Sequence, residues 1–347
     1  MLTREQFRTQ VFARDNNQCV ICGKPSQDAH HIIERRLWDN GGYHIDNGAS
    51  LCADCHMKAE QTIISCKEIR KAAGIKTILL PPHFYSDTRY DKWGNIILPD
   101  GRRLKGELFF DESVQKILKS CDLLDFFCKY VKYPRTYHLP WSKGFTKYDR
   151  IVKNTKQFEG KEVIVTVKLD GENTTFYNDY IHARSLDGMG HASQSWVKNF
   201  HSKISYNIPE GWRVCGENVF AKHTIQYNYL STYFYVFSIW NEKNECLDWD
   251  LTWEWIKLLE LDPVPVIYIG EWGEDFIKKL YQPIFRGERC EGYVVRLAES
   301  FPYGEYRHSV AKFVAEEFGN QLKEGSGHWR HKKIIQNRLD PIADMKG

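Results

Sequence analysis

The sequence predicts an α+β protein in which a small metal-stapled module precedes a larger domain built around β-strands. Residues Val163 to Lys168 alternate with a period of two and are β-branched up to Val167, which is typical of a strand. Residues 111–130 carry leucine, isoleucine and phenylalanine at helical spacing, which indicates an amphipathic helix. Two Cys-x-x-Cys pairs near the N-terminus have the spacing of metal ligands. The length of 347 residues is sufficient for two domains.

The cysteine pairs predict a structural zinc site. Cys19 and Cys22 form the first pair, and Cys52 and Cys55 form the second. Each pair can chelate from a single turn, and four thiolates complete the tetrahedral coordination that structural zinc adopts. The other six cysteines are scattered along the chain, and we expect them to be reduced thiols, as in a reducing compartment.

Histidines accompany the cysteine pairs. His30 and His31 lie between the pairs, Asn47 precedes the second pair, and His56 directly follows it. This arrangement resembles the HNH endonuclease motif with its zinc-stapled ββα core. The resemblance implies that His31 is the general base that activates water, and that His30 and His56 hold a catalytic Mg²⁺ or similar ion. Asn47 would orient the loop or the base. An unperturbed histidine has the near-neutral pKa that such a base needs.

Lys168 is the strongest candidate nucleophile in the second part of the chain. It ends the predicted strand, and Asp170-Gly171 follows as a turn in which glycine tolerates a positive φ. An amine attacks phosphorus only when it is deprotonated, and burial or nearby cations lower its pKa toward that state. The candidate cations are Arg184, Lys222 and Lys312.

Lys168 opens a series of five motifs. They are Lys168-Leu169-Asp170-Gly171, Ala183-Arg184-Ser185, Gly216-Glu217-Asn218, Glu291 to Arg296, and Val310-Ala311-Lys312. The series resembles the polynucleotide ligase and capping-enzyme superfamily, and most closely its RNA ligase branch. The segments 133–142, 221–225 and 327–329 resemble the same family, so the resemblance covers roughly residues 131–335. It implies a nucleotidyltransferase core, ATP-grasp-like and built on antiparallel sheets.

The resemblance also implies how the nucleotide is held. Lys168 would carry AMP covalently, and Asp170 and Gly171 would help to bind the nucleotide. Glu217 would hydrogen-bond the ribose hydroxyls. Phe237, in an aromatic strand, would stack on adenine; a purely structural core position is the alternative for this residue.

Three further residues receive catalytic roles from the resemblance. Glu291 would help to hold a divalent metal near the α-phosphate. Lys312 would contact that phosphate and neutralise charge in the transition state. Arg184 would contact the ribose or the incoming RNA end. Val167 stands where many relatives have an acidic residue, and Lys312 is present where a pair of lysines is common.

Composition, motifs and turn-forming residues predict the organisation of the chain. We expect an HNH endonuclease-like zinc module over 1–78, a connector over 79–130, and a nucleotidyltransferase domain over 131–347. Thr3–Asp15 and Cys55–Ala73 are predicted helices, and Asp91–Arg103 is a predicted hairpin. The net charge of +3 does not by itself indicate nucleic acid. The first 18 residues lack an apolar signal, so we expect a cytoplasmic protein of bacterial or phage type, without a membrane or an obligate protein partner.

The combined motifs predict an ATP-dependent ligase that acts through lysyl-AMP with Mg²⁺ or Mn²⁺, fused to a zinc-bound HNH-like module. The expected partner is nucleic acid. RNA is favoured because the 35 residues after Lys312 are too few for an appended oligonucleotide-binding barrel; DNA and hybrid strands stay open. Two alternatives also stay open. The HNH-like module is an inactive zinc clamp in the first, and the ligase-like domain is a nucleotide sensor for a nuclease in the second.

Overall fold

The computed structural model of the chain describes residues 1–146, 149–184, 186, 190–285, 287–321 and 334–341. Two compact units are present, Met1–Val131 and Lys132–Gly347. Ser185, and the motif residues Gly327, His328 and Trp329, lie outside the described residues.

The first unit contains both helices and strands. In chain order these are α1 (Arg4–Arg14), β1 (Asp28–His31), β2 (Gly48–Leu51), α2 (Ala53–Glu60), α3 (Cys66–Ala72), β3 (Ile96–Ile97), β4 (Arg103–Leu104) and α4 (Glu112–Lys119).

The ββα core of the first unit consists of β1, β2 and α2. The strands are antiparallel, and His30 pairs with Ala49 while His31 pairs with Gly48. Helix α1 begins where the sequence predicts, because Thr3 forms a capping box with Gln6. The side chains of Phe7 and Val11 on this helix are buried. The predicted hairpin is also present, since β3 and β4 pair antiparallel.

Two predicted helices are shorter than expected. The prediction of one helix over 55–73 is wrong, because the chain adopts a positive φ of 56° at Thr62 and α3 starts anew at the Ser65–Glu68 capping box. The helix predicted over 111–130 ends at Lys119, and Asp122 then adopts a positive φ of 52°. Left-handed residues of this kind terminate helices.

The second unit is dominated by strands. In chain order its elements are β5 (Tyr137–His138), β6 (Glu162–Lys168), β7 (Glu172–Phe176), β8 (Ile181–Ala183), α5 (Ser195–Ile204), β9 (Arg213–Asn218), β10 (Phe234–Trp240), β11 (Glu245–Cys246), α6 (Trp249–Leu258), β12 (Asp262–Pro263), β13 (Val266–Glu271), α7 (Glu274–Ile277), β14 (Ile284–Phe285), β15 (Glu288–Arg289), β16 (Gly292–Leu297), β17 (Phe301–Pro302), α8 (Tyr306–Ser309), β18 (Val310–Val314) and α9 (Glu316–Gln321).

Two mainly antiparallel sheets form the core of this unit. One has the strand order β13-β6-β16-β18-β5, in which only the β18–β5 pair is parallel. The other has the order β17-β11-β10-β9-β7-β8, with β12 beside β10. Antiparallel sheets here and a ββα module in the first unit confirm the predicted α+β class.

The turn Leu169–Gly171 carries the chain from β6 in one sheet to β7 in the other. Gly171 does not use the positive φ that glycine tolerates, since it is not among the residues with positive φ. Glycine is required there for space, because a Cβ atom would lie 2.5 Å from the carbonyl oxygen of Asn218. This close approach brings the end of β6 against the end of β9.

Among the residues that the structure describes, no helix combines the length and the apolar character needed to cross a membrane.

Candidate active sites

A cavity of about 500 Å³ lies in the second unit, and residues of both large sheets line it. Lys168 and Lys312 come from the five-stranded sheet, at the end of β6 and within β18. Glu217 and Phe237 come from β9 and β10 of the other sheet. The lining therefore brings together side chains that lie up to 180 positions apart in the sequence, from 132 to 312.

The amine of Lys168 is held by a carboxylate. Lys168 Nζ donates to Glu291 Oε2 at 2.6 Å, and both side chains are largely buried. The register of β6 and β16 explains the contact, because Lys168 pairs with Gly292, the neighbour of Glu291. Glu291 is not among the residues that line the cavity, so it reaches the site through Lys168.

The charge balance around Lys168 differs from the expectation. Burial lowers the pKa of the Lys168 amine, but the carboxylates of Glu291 and Glu217 outweigh burial and raise this pKa above its ordinary value. The predicted lowering of the pKa of Lys168 is therefore wrong for the free protein. Sequence spacing revealed the cations but not that the carboxylate of Glu291 lies 2.6 Å from the amine.

The turn after Lys168 is tied to β9 and to the segment that follows it. Gly171 N donates to Glu217 Oε1 at 3.1 Å. Asp170 Oδ2 accepts hydrogen bonds from the backbone N–H groups of Thr224 and Ile225, at 2.6 and 2.7 Å. Burial raises the pKa of Glu217 to about 8, against the opposing charge of Lys168. Asp170 thus fixes the turn rather than facing the cavity.

Lys312 is the second amine of the cavity. Burial and the charge of Lys168 together lower its pKa to about 8, while Asp149 opposes both. Lys312 Nζ lies 3.9 Å from Asp149 Oδ1. At neutral pH this lysine is still mostly charged, which suits a contact with phosphate.

His138 supports the Lys312 side of the cavity. It pairs with Lys312 through the parallel strands β5 and β18. Its Nδ1 lies 2.7 Å from Ser142 Oγ, and its Nε2 lies 3.8 Å from Asp149 Oδ1. Although burial opposes it, the contact with His138 and hydrogen bonds from Thr146 hold the pKa of Asp149 below its usual range. The segment 133–142 noted in the sequence is therefore part of the site.

Phe237 owes its place in the cavity to an irregularity in β10. The register with β9 shifts between Val236 and Ser238, so Phe237 is the extra residue of a β-bulge. Bulges of this kind re-aim side chains. The ring is half-buried, lines the cavity, and lies edge-on to Tyr133 with centroids 5.3 Å apart.

The remaining predicted cations differ in position. Arg184 is exposed at the end of β8 and lines the cavity. Lys222 is not among the lining residues. His223, its neighbour, does line the cavity, and burial lowers the pKa of this histidine to about 4. His223, His138 and Asp149 were not predicted as site residues.

In the first unit, the four predicted zinc ligands converge. The sulfur atoms of Cys19, Cys22, Cys52 and Cys55 all lie within 4.8 Å of one another. Cys22 Sγ and Cys52 Sγ are 3.6 Å apart, close to the roughly 3.8 Å edge of a tetrahedron with Zn–S bonds of about 2.3 Å. The four thiols therefore fit a structural zinc ion.

The predicted histidines form a second group on the same ββα core. His30 and His56 lie with ring centroids 5.1 Å apart, and Glu60 joins them from the next turn of α2. Glu60 Oε1 lies 3.4 Å from His30 Nδ1 and 3.2 Å from His56 Nε2. Two imidazoles and a carboxylate are a donor set that divalent ions accept. Glu60 was not predicted, although its i,i+4 spacing from His56 on a predicted helix was a usable signal.

His31 and Asn47 lie beside this group. The His31 ring stacks on Phe7 at 4.5 Å and meets Tyr43 edge-on at 5.3 Å. Burial lowers the pKa of His31 to about 4, so its imidazole is neutral at pH 7 but less basic than an unperturbed one. The expected near-neutral pKa is therefore wrong. Asn47 bonds the backbone of Ile33 through both its amide oxygen and its amide nitrogen, and so orients the loop.

Comparisons with known proteins agree with this division. The RNA ligase family model matches residues 161–314, and the HNH endonuclease model matches residues 19–62. A comparison with curated proteins found no match.

Solved structures also match part of the chain. A variant of an RNA ligase from Naegleria gruberi with ATP and Mn is 20% identical, over 49% of this chain and 54% of that chain, with a TM-score of 0.38. A putative ATP-dependent DNA ligase from Aquifex aeolicus is 16% identical, over 56% of this chain and 52% of that chain, with a TM-score of 0.37. The chain thus spans about half the length of these proteins.

The motif-based recognition is confirmed by these two matches: one part of the chain is similar to the RNA ligase family and another part to the HNH endonuclease family.

Proposed function

We propose that the second unit is an ATP-dependent RNA ligase that joins 3′-hydroxyl and 5′-phosphate ends through a lysyl-AMP intermediate. The observation that carries the proposal is the convergence of Lys168, Glu217, Phe237 and Lys312 on one cavity, with Glu291 bonded to the amine of Lys168. The cavity thus offers a nucleophile, a cation, a carboxylate and an aromatic surface, as nucleotidyl transfer to an amine requires.

Ligation would proceed in three steps. The Lys168 nitrogen, once deprotonated, forms a bond to the α-phosphorus of ATP, and the bond to pyrophosphate breaks. A 5′-phosphate oxygen of the nucleic acid then attacks the same phosphorus, and the P–N bond breaks to restore the lysine. A 3′-hydroxyl finally attacks the 5′-phosphate phosphorus, and AMP leaves with the proton of the hydroxyl accepted by solvent or by a basic group.

Lys312 and Glu291 would have different electrostatic roles in the first step. Lys312, charged at neutral pH and facing the same cavity, would neutralise the oxygens of the α-phosphate. Glu291 would have to release the Lys168 amine before attack, since the pair now stabilises the ammonium form. A divalent ion bound at Glu291 would supply further charge neutralisation at the phosphate and compete for this carboxylate.

The first test is covalent labelling. Incubation of the full chain with Mg²⁺ and α-labelled ATP should give a labelled band on a denaturing gel, because the phosphoramidate survives denaturation. The Lys168→Ala variant should give none. Lys156→Ala removes an exposed lysine of the same unit and serves as the matched control, which should label like the wild type.

Two results would count against the proposal. One is an absence of label on the wild type with ATP, GTP and NAD. The other is equal labelling of the wild type and Lys168→Ala, which would move the nucleophile elsewhere. Circular dichroism of each variant shows whether loss of label reflects loss of fold.

We propose that the HNH-like module cleaves or processes nucleic acid for the ligase. His31 would accept the proton of the attacking water, supported by its neutral imidazole at pH 7. The group of His30, His56 and Glu60 would hold the ion that neutralises charge on the phosphate. Such cleavage leaves a 3′-hydroxyl and a 5′-phosphate, which are the ends that the proposed ligase joins.

A further inference from the structure

A lysine from outside the matched HNH region reaches the His30–His56–Glu60 group. Lys92 has 4% of its side chain exposed, although it lies 30 positions beyond the last residue matched to the HNH model. Its Nζ donates to the carbonyl oxygen of His31 at 3.0 Å and lies 3.0 Å from Glu60 Oε1. A second carboxylate oxygen, Glu34 Oε2, lies 3.5 Å away. Three oxygen atoms therefore surround this buried ammonium, and they stabilise its charge inside the protein.

The backbone around Lys92 is fixed to the same residues. Glu34 N donates to the carbonyl oxygen of Lys92 at 2.9 Å, and Trp93 Nε1 donates to the carbonyl oxygen of Glu60 at 2.9 Å. The turn itself is held by the buried carboxylate of Asp91, which accepts from the backbone N–H groups of Trp93 and Asn95. The ammonium is therefore held at the group by backbone contacts on both sides.

Glu60 Oε1 contacts both the ammonium of Lys92 and the two histidines of the group. It is the carboxylate oxygen nearest to Lys92 Nζ, and it is also the oxygen that faces His30 and His56. His30 is 2% exposed, and neither of its ring nitrogens makes a hydrogen bond of good geometry. The imidazole nitrogens are thus available to a cation, while the carboxylate already has one.

We propose that Lys92 is a resident cation that competes with a divalent ion for Glu60 and so lowers the metal affinity of the HNH-like site. The inference rests on the metal group of the proposed function. Glu34 and Glu60 both face this ammonium, but Glu34 also has the guanidinium of Arg36 at 3.3 Å, so removal of the ammonium chiefly leaves Glu60 without its lysine countercharge. Charges at such distances in a buried setting interact strongly, and we expect at least about a tenfold gain in affinity.

Binding of Mn²⁺ to the full zinc-loaded chain tests this, with free Mn²⁺ followed by electron paramagnetic resonance. The site of interest is the part of the binding that His56→Ala removes. Lys92→Met should bind Mn²⁺ at this site at least about tenfold more tightly than the wild type. The double variant Lys92→Met with His56→Ala should lose the gain. Lys116→Met removes an exposed lysine of α4 and should leave the affinity unchanged.

A second variant at the same position controls for misfolding of Lys92→Met. Lys92→Gln keeps a hydrogen-bond donor for the His31 carbonyl without the charge, and it should also bind more tightly. If both variants bind at the His56-dependent site no more tightly than the wild type, the inference about Lys92 fails and the metal site stands. If the wild type and both variants show no His56-dependent ion, the metal site and the inference fail together.

Discussion

At the scale of residues, two lysines in one cavity are stabilised in opposite forms. Lys168 lies against Glu291, which favours its charged form, whereas burial and the charge of Lys168 disfavour the charged form of Lys312. The same cavity therefore contains one ammonium that contributes to stability and one that costs stability. Such costs are common where a charge is retained for chemistry.

Replacement of the two lysines should shift stability in opposite directions. Lys312→Met removes a penalised charge, so we expect the free energy of unfolding at pH 7 to rise by roughly 1–3 kcal/mol. Lys168→Met leaves Glu291 without its partner and should lower the free energy of unfolding. Both variants should lose covalent labelling. Chemical denaturation of the full chain, with the transition of the second unit followed separately, measures the change.

The gain for Lys312→Met should depend on pH. Below pH 8 the lysine is charged in the folded and the unfolded states, so the wild type bears the full penalty. Between pH 8 and about 10.4 the folded state loses the proton first, and the penalty shrinks as pH rises. A gain that persists undiminished at pH 10.5 would contradict this account.

The sequence predicted which residues meet in the cavity but not the sign of their electrostatics. Lys168, Glu217 and Lys312 were predicted because each lies in one of the short motifs. The pKa of Lys168 depends strongly on the contact with Glu291, and that contact follows from the register of β6 and β16. Register is set by pairing between segments that are remote in the sequence, and motif spacing carries no information about that pairing.

At the scale of elements, the bulge in β10 determines that Phe237 lines the cavity. Without the register shift between Val236 and Ser238, the strand would continue its regular pairing with β9. The extra residue instead places Phe237 in the cavity wall, supported edge-on by Tyr133. The alternative of a purely core aromatic is weakened by this exposure to the cavity, and base stacking becomes the role to test.

Substitution of Phe237 should change nucleotide affinity more than it changes the chemical step. Phe237→Ala should raise the ATP concentration for half-maximal labelling by about 10-fold or more, since stacking of a base contributes roughly 1–3 kcal/mol. Phe237→Trp should retain most of the affinity because it keeps an aromatic face. Phe276→Ala removes a half-exposed ring of α7 and is the matched control.

Labelling at varied ATP concentration separates the two effects. An unchanged half-maximal concentration in Phe237→Ala would assign the ring to the core and leave adenine without this contact.

Helix and strand existence was easier to predict than helix ends. The alternation before Lys168 predicted β6, and the Thr3 cap predicted the start of α1. The break between α2 and α3 was not predicted, because Thr62 adopts a left-handed conformation without the glycine that usually signals it. The bulge in β10 is likewise a product of sheet pairing and has no signal in the aromatic run.

At the scale of the whole molecule, two compact units carry the two family matches. The HNH match lies within Met1–Val131, and the RNA ligase match lies within Lys132–Gly347. The two sets of chemical groups are therefore built independently, each around its own strands. Cleavage and sealing should be separable by mutation.

Single substitutions should remove one activity and spare the other. His31→Ala should abolish metal-dependent cleavage and leave covalent labelling of Lys168 at the wild-type level. Lys168→Ala should allow cleavage and leave the cut ends unsealed. Both are measured on one end-labelled RNA strand, with Mg²⁺ and ATP added separately and together.

The Gln10→Ala variant, which alters an exposed residue of helix α1 in the first unit, is the control for His31→Ala. Cleavage that is unaffected in His31→Ala would remove the nuclease role of this residue and favour a zinc clamp that positions nucleic acid.

The Asp91–Arg103 hairpin also limits where the chain can be truncated without loss of contacts in the first unit. A fragment that stops at residue 78 would omit Lys92 and Trp93, together with their bonds to His31 and Glu60. The carboxylates of Glu34 and Glu60 would then be left as neighbours without their shared countercharge. The smallest fragment in which these charges are balanced therefore extends past the hairpin. Transfer of this module to another protein would have to include the hairpin as well.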